Sequence, residues 1–183
     1  MDPTDIIAEF YDRRSKTFAI LVDHGQQVAQ KALVAAEKVA HLEPDVDFIY
    51  NAAMLHDIGI LDTDSPGLGC HGKYPYICHG FIGREMLESR ELTEYGPICE
   101  RHIGVGISLD EIRNFKLPLP ERDMLPVSIE EQIICYADKF FSKNGQGRQP
   151  NSEKSVEQIT QSLNAYGQDK VHRFQKWVNL FGT

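Results

Sequence analysis

Long apolar runs are missing from this chain of 183 residues: no window approaches the run of about 18 that a membrane-crossing helix needs, so no membrane partner is expected. The start, Met1-Asp2-Pro3-Thr4-Asp5, is acidic and lacks the basic residues and apolar stretch of a signal peptide. Cysteine is scarce, and four thiols without a secretion signal read as those of a reducing cytosol, so a cytoplasmic protein is expected. Positive charge is short as well, with 19 Lys and Arg against 27 Asp and Glu and a net charge of −8. A surface that acidic repels polyanions, which argues against general nucleic-acid binding. A small anionic substrate stays compatible, because a bound metal reverses the local field. Alternating strand patterns of useful length and internal repeats are also lacking. The 42% apolar and 25% charged residues are ordinary for a chain that builds a core, unlike a collagen-like or coiled-coil chain.

What remains is helical spacing. Asp2 before Pro3 fits a helix N-cap and first-turn proline. From about Arg14 to Ala40 the apolar positions Phe18, Leu21, Val22, Val28, Ala29, Ala32, Leu33, Ala36 and Val39 keep one helical face. A second stripe runs from Val46 to about His56. Residues 58–77 carry Gly59, Pro66, Gly67, Gly69, Gly72 and Pro75, the composition of a long loop, which in a compact domain is usually functional. Helical spacing resumes at about 78–90 and 95–103. Ser108 with Glu111 and Ser128 with Glu131 fit the capping-box pattern, with the connector Leu117-Pro118-Leu119-Pro120 between them. Two amphipathic stretches end the chain, at about 153–165 and 168–181. The expectation is an all-α fold: a helical domain over 1–142, a polar connector over 143–152, and C-terminal helices over 153–183 packed on the same domain. Trp177, Phe174 and Phe181 are read as packing of the last helix.

Seven histidines are present, six of them between positions 24 and 102. His56 follows Ala52 by four and Ala53 by three and so sits on a buried stripe, with Asp57 at its edge. His24 lies beside the stripe of the long helix, His79 shares a line with Ile82, Gly83 and Met86, His102 follows Ile98 by four, and Asp138 follows Ile134 by four. Any one buried histidine is ordinarily a core residue satisfied by a backbone carbonyl. Six imidazole or carboxylate groups facing one core reverse that balance, because two carboxylates are not buried without a cation. Histidine with carboxylate suits Fe, Mn, Co, Ni or Zn better than Mg or Ca.

The order His24, His56-Asp57, His79, His102, Asp138 resembles the HD superfamily of metal-dependent phosphohydrolases, in the branch with the pattern H…HD…H…H…D. Leu55-His56-Asp57-Ile58-Gly59 is similar to the HDIG signature, and Tyr136-Ala137-Asp138-Lys139 to the closing A-D-K; the likeness covers about residues 15–142. It implies an HD-domain-like helical bundle in which His24, His56, Asp57 and Asp138 hold one divalent metal. It also implies that His79 and His102 hold a second, that Asp57 bridges, and that His56 and Asp57 are the catalytic pair. The implied reaction is cleavage of a phosphoester or phosphoanhydride of a nucleotide or small metabolite by a metal-bound hydroxide. Ile60 stands where the related cyclic-di-GMP phosphodiesterases have Lys in HDxGK, and no GYP triplet exists, which argues against that substrate. Two alternatives use the same ligands: a mixed-valent di-iron oxygenase, and a non-catalytic metal-stabilised binding module.

Lys139, Arg101, Arg84 and Lys73 are candidates for binding the phosphate. Cys70-His71 and Cys78-His79 invite a zinc reading, but the spacing is not a common structural one, and His71 is read as a loop residue near the site mouth. Cys99 and Cys135 are read as core thiols.

Overall fold

Residues 1–143 and 153–182 are described in a computed structural model. The connector expected over 143–152 lies outside them except for Lys143. Capping residues set the helix starts. Asp2 accepts the Thr4 N–H at 2.8 Å and opens α1 (Pro3–Phe10). Ser15 accepts the Phe18 N–H and opens α2 (Lys16–Lys38), and Asp45 accepts the Phe48 N–H and opens α3 (Val46–Leu55). Then follow α4 (His79–Glu88), α5 (Gly96–Arg101), α6 (Leu109–Asn114), α7 (Ile129–Asp138), α8 (Val156–Asn164) and α9 (Gln168–Phe181). The fold is all-α, and among the described residues no helix is long and apolar enough to cross a membrane.

Three details differ from the sequence reading. The segment 58–77 is more ordered than loop composition suggests. It holds 3-10 turns at Ile58–Asp62, Pro66–Leu68 and Tyr76–Cys78, and a two-residue antiparallel pair of β1 (Asp64–Ser65) and β2 (Cys70–His71). Gly69, at φ +84°, supplies the left-handed backbone that lets β2 return. α4 and α5 are shorter than 78–90 and 95–103. Ser128 caps α7 by accepting the Glu131 N–H, but Glu131 does not complete the box: its carboxylate turns to the Val127 N–H at 2.5 Å and to Arg101 at 2.6 Å. The Ser108–Glu111 box is complete.

The core follows from the apolar stripes. α2 buries Leu21, Val28, Ala29, Ala32, Ala35 and Ala36 and packs on α3, α7 and α9; its small alanine face lets those helices come close. α4 packs on α5 and on the turn after α3. That turn is held by the Tyr11 hydroxyl, which donates to the Ile58 carbonyl at 2.5 Å. α9 buries Phe174, Trp177 and Phe181, and the rings of Phe174 and Phe181 pack round Tyr136 of α7. Trp177 donates from Nε1 to Gln132 at 3.1 Å, and the buried Lys170 ammonium donates to the Gly106 carbonyl and to Glu111.

Candidate metal centre

Five helices each deliver a candidate ligand at a defined place. His24 lies within α2, His56 caps the C-terminus of α3 with Asp57 next, His79 opens α4, His102 caps the C-terminus of α5, and Asp138 ends α7. All six side chains are buried. Their ligand atoms form two groups, His24 with His56, Asp57 and Asp138, and Asp57 with His79 and His102, each within 4.8 Å.

Asp57 divides between them. Its Oδ2 lies 3.0 Å from His56 Nε2 and 3.3 Å from His24 Nε2, while its Oδ1 lies 3.3 Å from both His79 Nε2 and His102 Nε2. Asp138 Oδ1 closes the first group, 3.0 Å from His24 Nε2 and 3.6 Å from His56 Nε2.

The opposite ring nitrogens fix the tautomers. His56 Nδ1 lies 2.5 Å from the Ala53 carbonyl, His79 Nδ1 2.6 Å from that of Tyr76, and His102 Nδ1 2.7 Å from that of Cys99. A carbonyl only accepts, so each Nδ1 carries a proton and each ring turns its Nε2 inward, the nitrogen that offers a lone pair to a metal once the ring is neutral. His79 and His102 then face each other through Nε2 atoms 3.1 Å apart, an arrangement that two lone pairs oppose and an intervening cation favours. His56 Nε2 and Asp57 Oδ1 are buried without a partner in hydrogen-bonding geometry. Orphaned buried polar atoms of this kind, backed by carbonyl-oriented imidazoles, are what a divalent metal site presents. The residues fit a metal.

The electrostatics differ from ring to ring. Burial holds the His102 imidazole down to about 4 and therefore neutral. At His56 burial also opposes the charge, but Asp57 and Asp138 overcome it and raise the group to about 9. Burial works against the Asp57 carboxylate too, yet His56 and Lys143 hold it well below the usual range; Lys139, His24 and His56 do the same for Asp138. Both acids are ionised at neutral pH, which suits ligation.

The other candidates separate. Lys139 reaches Asp138 Oδ2 at 2.9 Å and lines a cavity of about 480 Å³ that opens beside the centre. Arg101, Arg84 and Lys73 do not line it. The Arg101 guanidinium is bound to Glu131 at 2.6 Å, because one residue before His102 points about 100° away round the helix. Arg84 is bound to Glu88 and to the buried Glu100, both at 2.7 Å. Lys73 is exposed, beside the Tyr74 ring. Cys70, Cys78 and His71 belong to neither ligand group, and Cys78 instead donates to the Pro118 carbonyl. Cys99 and Cys135 are buried thiols, the latter pushed up to about 12 by burial, so both stay protonated.

Two residues at the centre escaped the sequence reading. Lys143, read only as part of a polar connector, places Nζ 2.6 Å from Asp57 Oδ2. Tyr76 lays its ring 4.5 Å from that of His79 and also lines the cavity. Neither sits on a periodic face; a lysine five residues beyond the last ligand was the one available signal for Lys143.

The HD domain family matches residues 21–142, and the chain belongs to it. Its members are typically metal-dependent hydrolases. An uncharacterized protein of Methanocaldococcus jannaschii is 37% identical over 124 residues, which are 66% of each chain. The tRNA (cytidine(56)-2'-O)-methyltransferases of Thermoplasma volcanium and Picrophilus torridus are 30% and 31% identical over 67% of this chain but 32% of their own length. The chain thus spans just under two thirds of the first relative and about a third of the other two. No solved structure matches.

Proposed function

We propose that this HD domain is a phosphohydrolase that cleaves a phosphoester or phosphoanhydride of a small phosphorylated metabolite at a binuclear metal centre. The observation that carries the reading is Asp57, whose two oxygens each face a separate set of imidazoles within 3.3 Å. His24, His56, Asp57 and Asp138 would hold one ion, and Asp57, His79 and His102 the other. Two such ions supply an activated water and a clamp on phosphoryl oxygens. The chain's own contribution is to fix them: carbonyl-bound Nδ1 protons set three ring orientations, and buried Asp57 and Asp138 stay ionised. Lys139 and Lys143 bring two ammonium groups to the cavity beside these ligands, where they would bind phosphate oxygens. The tRNA methylation named for two relatives is an activity of chains about three times as long as the matched region. A net charge of −8 also disfavours a tRNA-sized polyanion here.

The test is to reload metal-stripped protein with Mn, Fe, Co, Ni or Zn singly and to follow phosphate release from monoesters, diesters and anhydrides. Oxygen uptake by the iron-loaded protein is followed in parallel. The reading expects release with at least one metal and its loss in Asp57→Ala. Oxygen uptake without phosphate release from any compound would overturn it in favour of an oxygenase.

A further inference from the structure

Each carboxylate of the centre has a lysine beside it, and the two lysines use their carboxylates differently. Lys139 Nζ lies 2.9 Å from Asp138 Oδ2, whereas Asp138 Oδ1 is the atom within 3.6 Å of His24 and His56 Nε2. Lys143 Nζ lies 2.6 Å from Asp57 Oδ2, the same oxygen that stands 3.0 Å from His56 Nε2 and 3.3 Å from His24 Nε2. Lys139 thus pairs with the spare oxygen of its ligand, and Lys143 with the oxygen that the first ion needs.

Two cations on one oxygen oppose each other. A first-row ion sits about 2.1 Å from a carboxylate oxygen, so the ion and the Lys143 ammonium would be at most about 5 Å apart. The Lys143 side chain is 12% exposed and that of Asp57 2%, which leaves little water to screen the repulsion. On the Oδ1 side the neighbours are instead the imidazoles of His79 and His102, each at 3.3 Å. The ligands themselves are fixed, with the rings of His56, His79 and His102 held at Nδ1 by carbonyls. Lys143 is not fixed in that way: it follows the end of α7 by five residues and lines the cavity of about 480 Å³ beside the centre. The Tyr76 ring, in the same cavity wall, lies 5.7 Å from Nζ and offers the cation a second resting place.

We infer that Lys143 is a tethered cation that neutralises Asp57 Oδ2 in the metal-free protein, and that it gives up this oxygen and turns into the cavity when His24, His56, Asp57 and Asp138 take up their ion. This rests on the metal centre proposed above, though not on its reaction, and adds an order of events to it. The ammonium is withheld from phosphate until the first ion is in place. Lys143 is therefore a positioning residue, one that lowers metal affinity on the Oδ2 side of Asp57 and stabilises the protein that has no metal.

The probe is cobalt(II) alone, titrated by calorimetry into metal-stripped protein carrying His79→Ala and His102→Ala, which isolates the Oδ2 side. Adding Lys143→Met should raise the affinity about tenfold, the scale of one hydrogen bond to a charged group, and Lys143→Arg should restore the starting value. Lys139→Met removes an equal charge from the spare oxygen of Asp138 and should raise it less. With His79 and His102 in place, metal-free Lys143→Met should melt about 3–6 °C below metal-free wild type, the same pair energy read as stability. That difference should vanish on cobalt loading, whereas a merely structural lysine would lower both melting temperatures. Inorganic phosphate should bind cobalt-loaded wild type about tenfold tighter than cobalt-loaded Lys143→Met. Unchanged or weaker cobalt binding in Lys143→Met, an equal rise in Lys139→Met, a melting difference that persists on loading, or equal phosphate binding would each overturn the inference. The binuclear centre would still stand if wild type binds two ions. One ion in wild type, with the tenfold rise in Lys143→Met, would remove the binuclear centre and leave the inference standing. Wild type that binds no ion removes both.

Discussion

His24, His56 and Asp138, on the Oδ2 side of Asp57, stand on α2, α3 and α7, helices that meet through apolar stripes of Leu, Ile, Val and Ala in the main core. His79 and His102, on the Oδ1 side, stand at the ends of α4 and α5, which are brought in by backbone contact. A Cβ at Gly59 would lie 2.1 Å from the His79 carbonyl oxygen and 2.3 Å from the Gly83 nitrogen. One at Gly80 would lie 2.7 Å from the Cys99 carbonyl oxygen, the atom that accepts from His102 Nδ1. The first half of the centre thus rests mainly on side-chain packing, which tolerates volume-conserving exchange, while the second adds to the packing of Leu87, Ile98 and Cys99 two glycine contacts that admit no side chain. The same glycine that completes the His56-Asp57-Ile58-Gly59 string is what lets α4 approach closely enough to present His79.

The largest effect should come where the halves meet. Asp57→Ala removes a ligand from both, and both ions should be lost, with turnover falling by roughly three orders of magnitude, the equivalent of several kcal/mol of lost transition-state stabilisation. Metal analysis and phosphate release on the same samples measure this; an Asp57→Ala protein that keeps two ions would contradict the bridging role.

Gly59→Ala should separate the halves. Forcing α4 away should destabilise the fold by about 3 kcal/mol, the upper end for overpacking, and release the His79–His102 ion while the other is kept. Thermal melting and metal content together check this; loss of both ions at once, or of neither, would show that the halves are not independent.

The smallest effect is on pH dependence, in metal-free protein. His56, raised from 6.5 to about 9, gives stability that is full below 6.5 and lost as pH rises through 9. His102 is lowered from 6.5 to about 4, so the unfolded chain takes its proton first and stability falls as pH drops from 6.5 towards 4. The Asp57 and Asp138 carboxylates, held below the usual value of 3.8, add stability that is lost only at more acid pH still. The melting temperature should therefore peak near pH 6.5 and drop by about 2–4 °C for each kcal/mol lost on either side. Loading metal should reverse the alkaline arm, since deprotonated ligands bind metal better. A metal-free melting temperature that keeps rising to pH 9 would contradict the His56 assignment.

The same contrast explains what could be read from the sequence. α2, α3 and α7 carry regular apolar stripes, so their extents and the placing of His24, His56 and Asp138 follow from spacing of three and four. The order of His and Asp residues then pointed to the family. Residues set by irregular backbone left no such trace: Tyr76 sits on a 3-10 turn and Lys143 follows the end of α7, and both reach the centre through folding that has no period. Arg101 shows the converse: it adjoins His102 in sequence, but on a helix the neighbouring residue faces elsewhere, and its guanidinium meets Glu131, as that of Arg84 meets Glu88 and Glu100.

The central claim is that Asp57 joins two metal sites, and metal content per chain tests it most directly, on protein purified without chelator, for wild type and for His79→Ala with His102→Ala. The account predicts two transition-metal ions in wild type and one in the double variant, held by His24, His56, Asp57 and Asp138. One ion in both proteins would contradict it, leaving His79 and His102 outside the coordination.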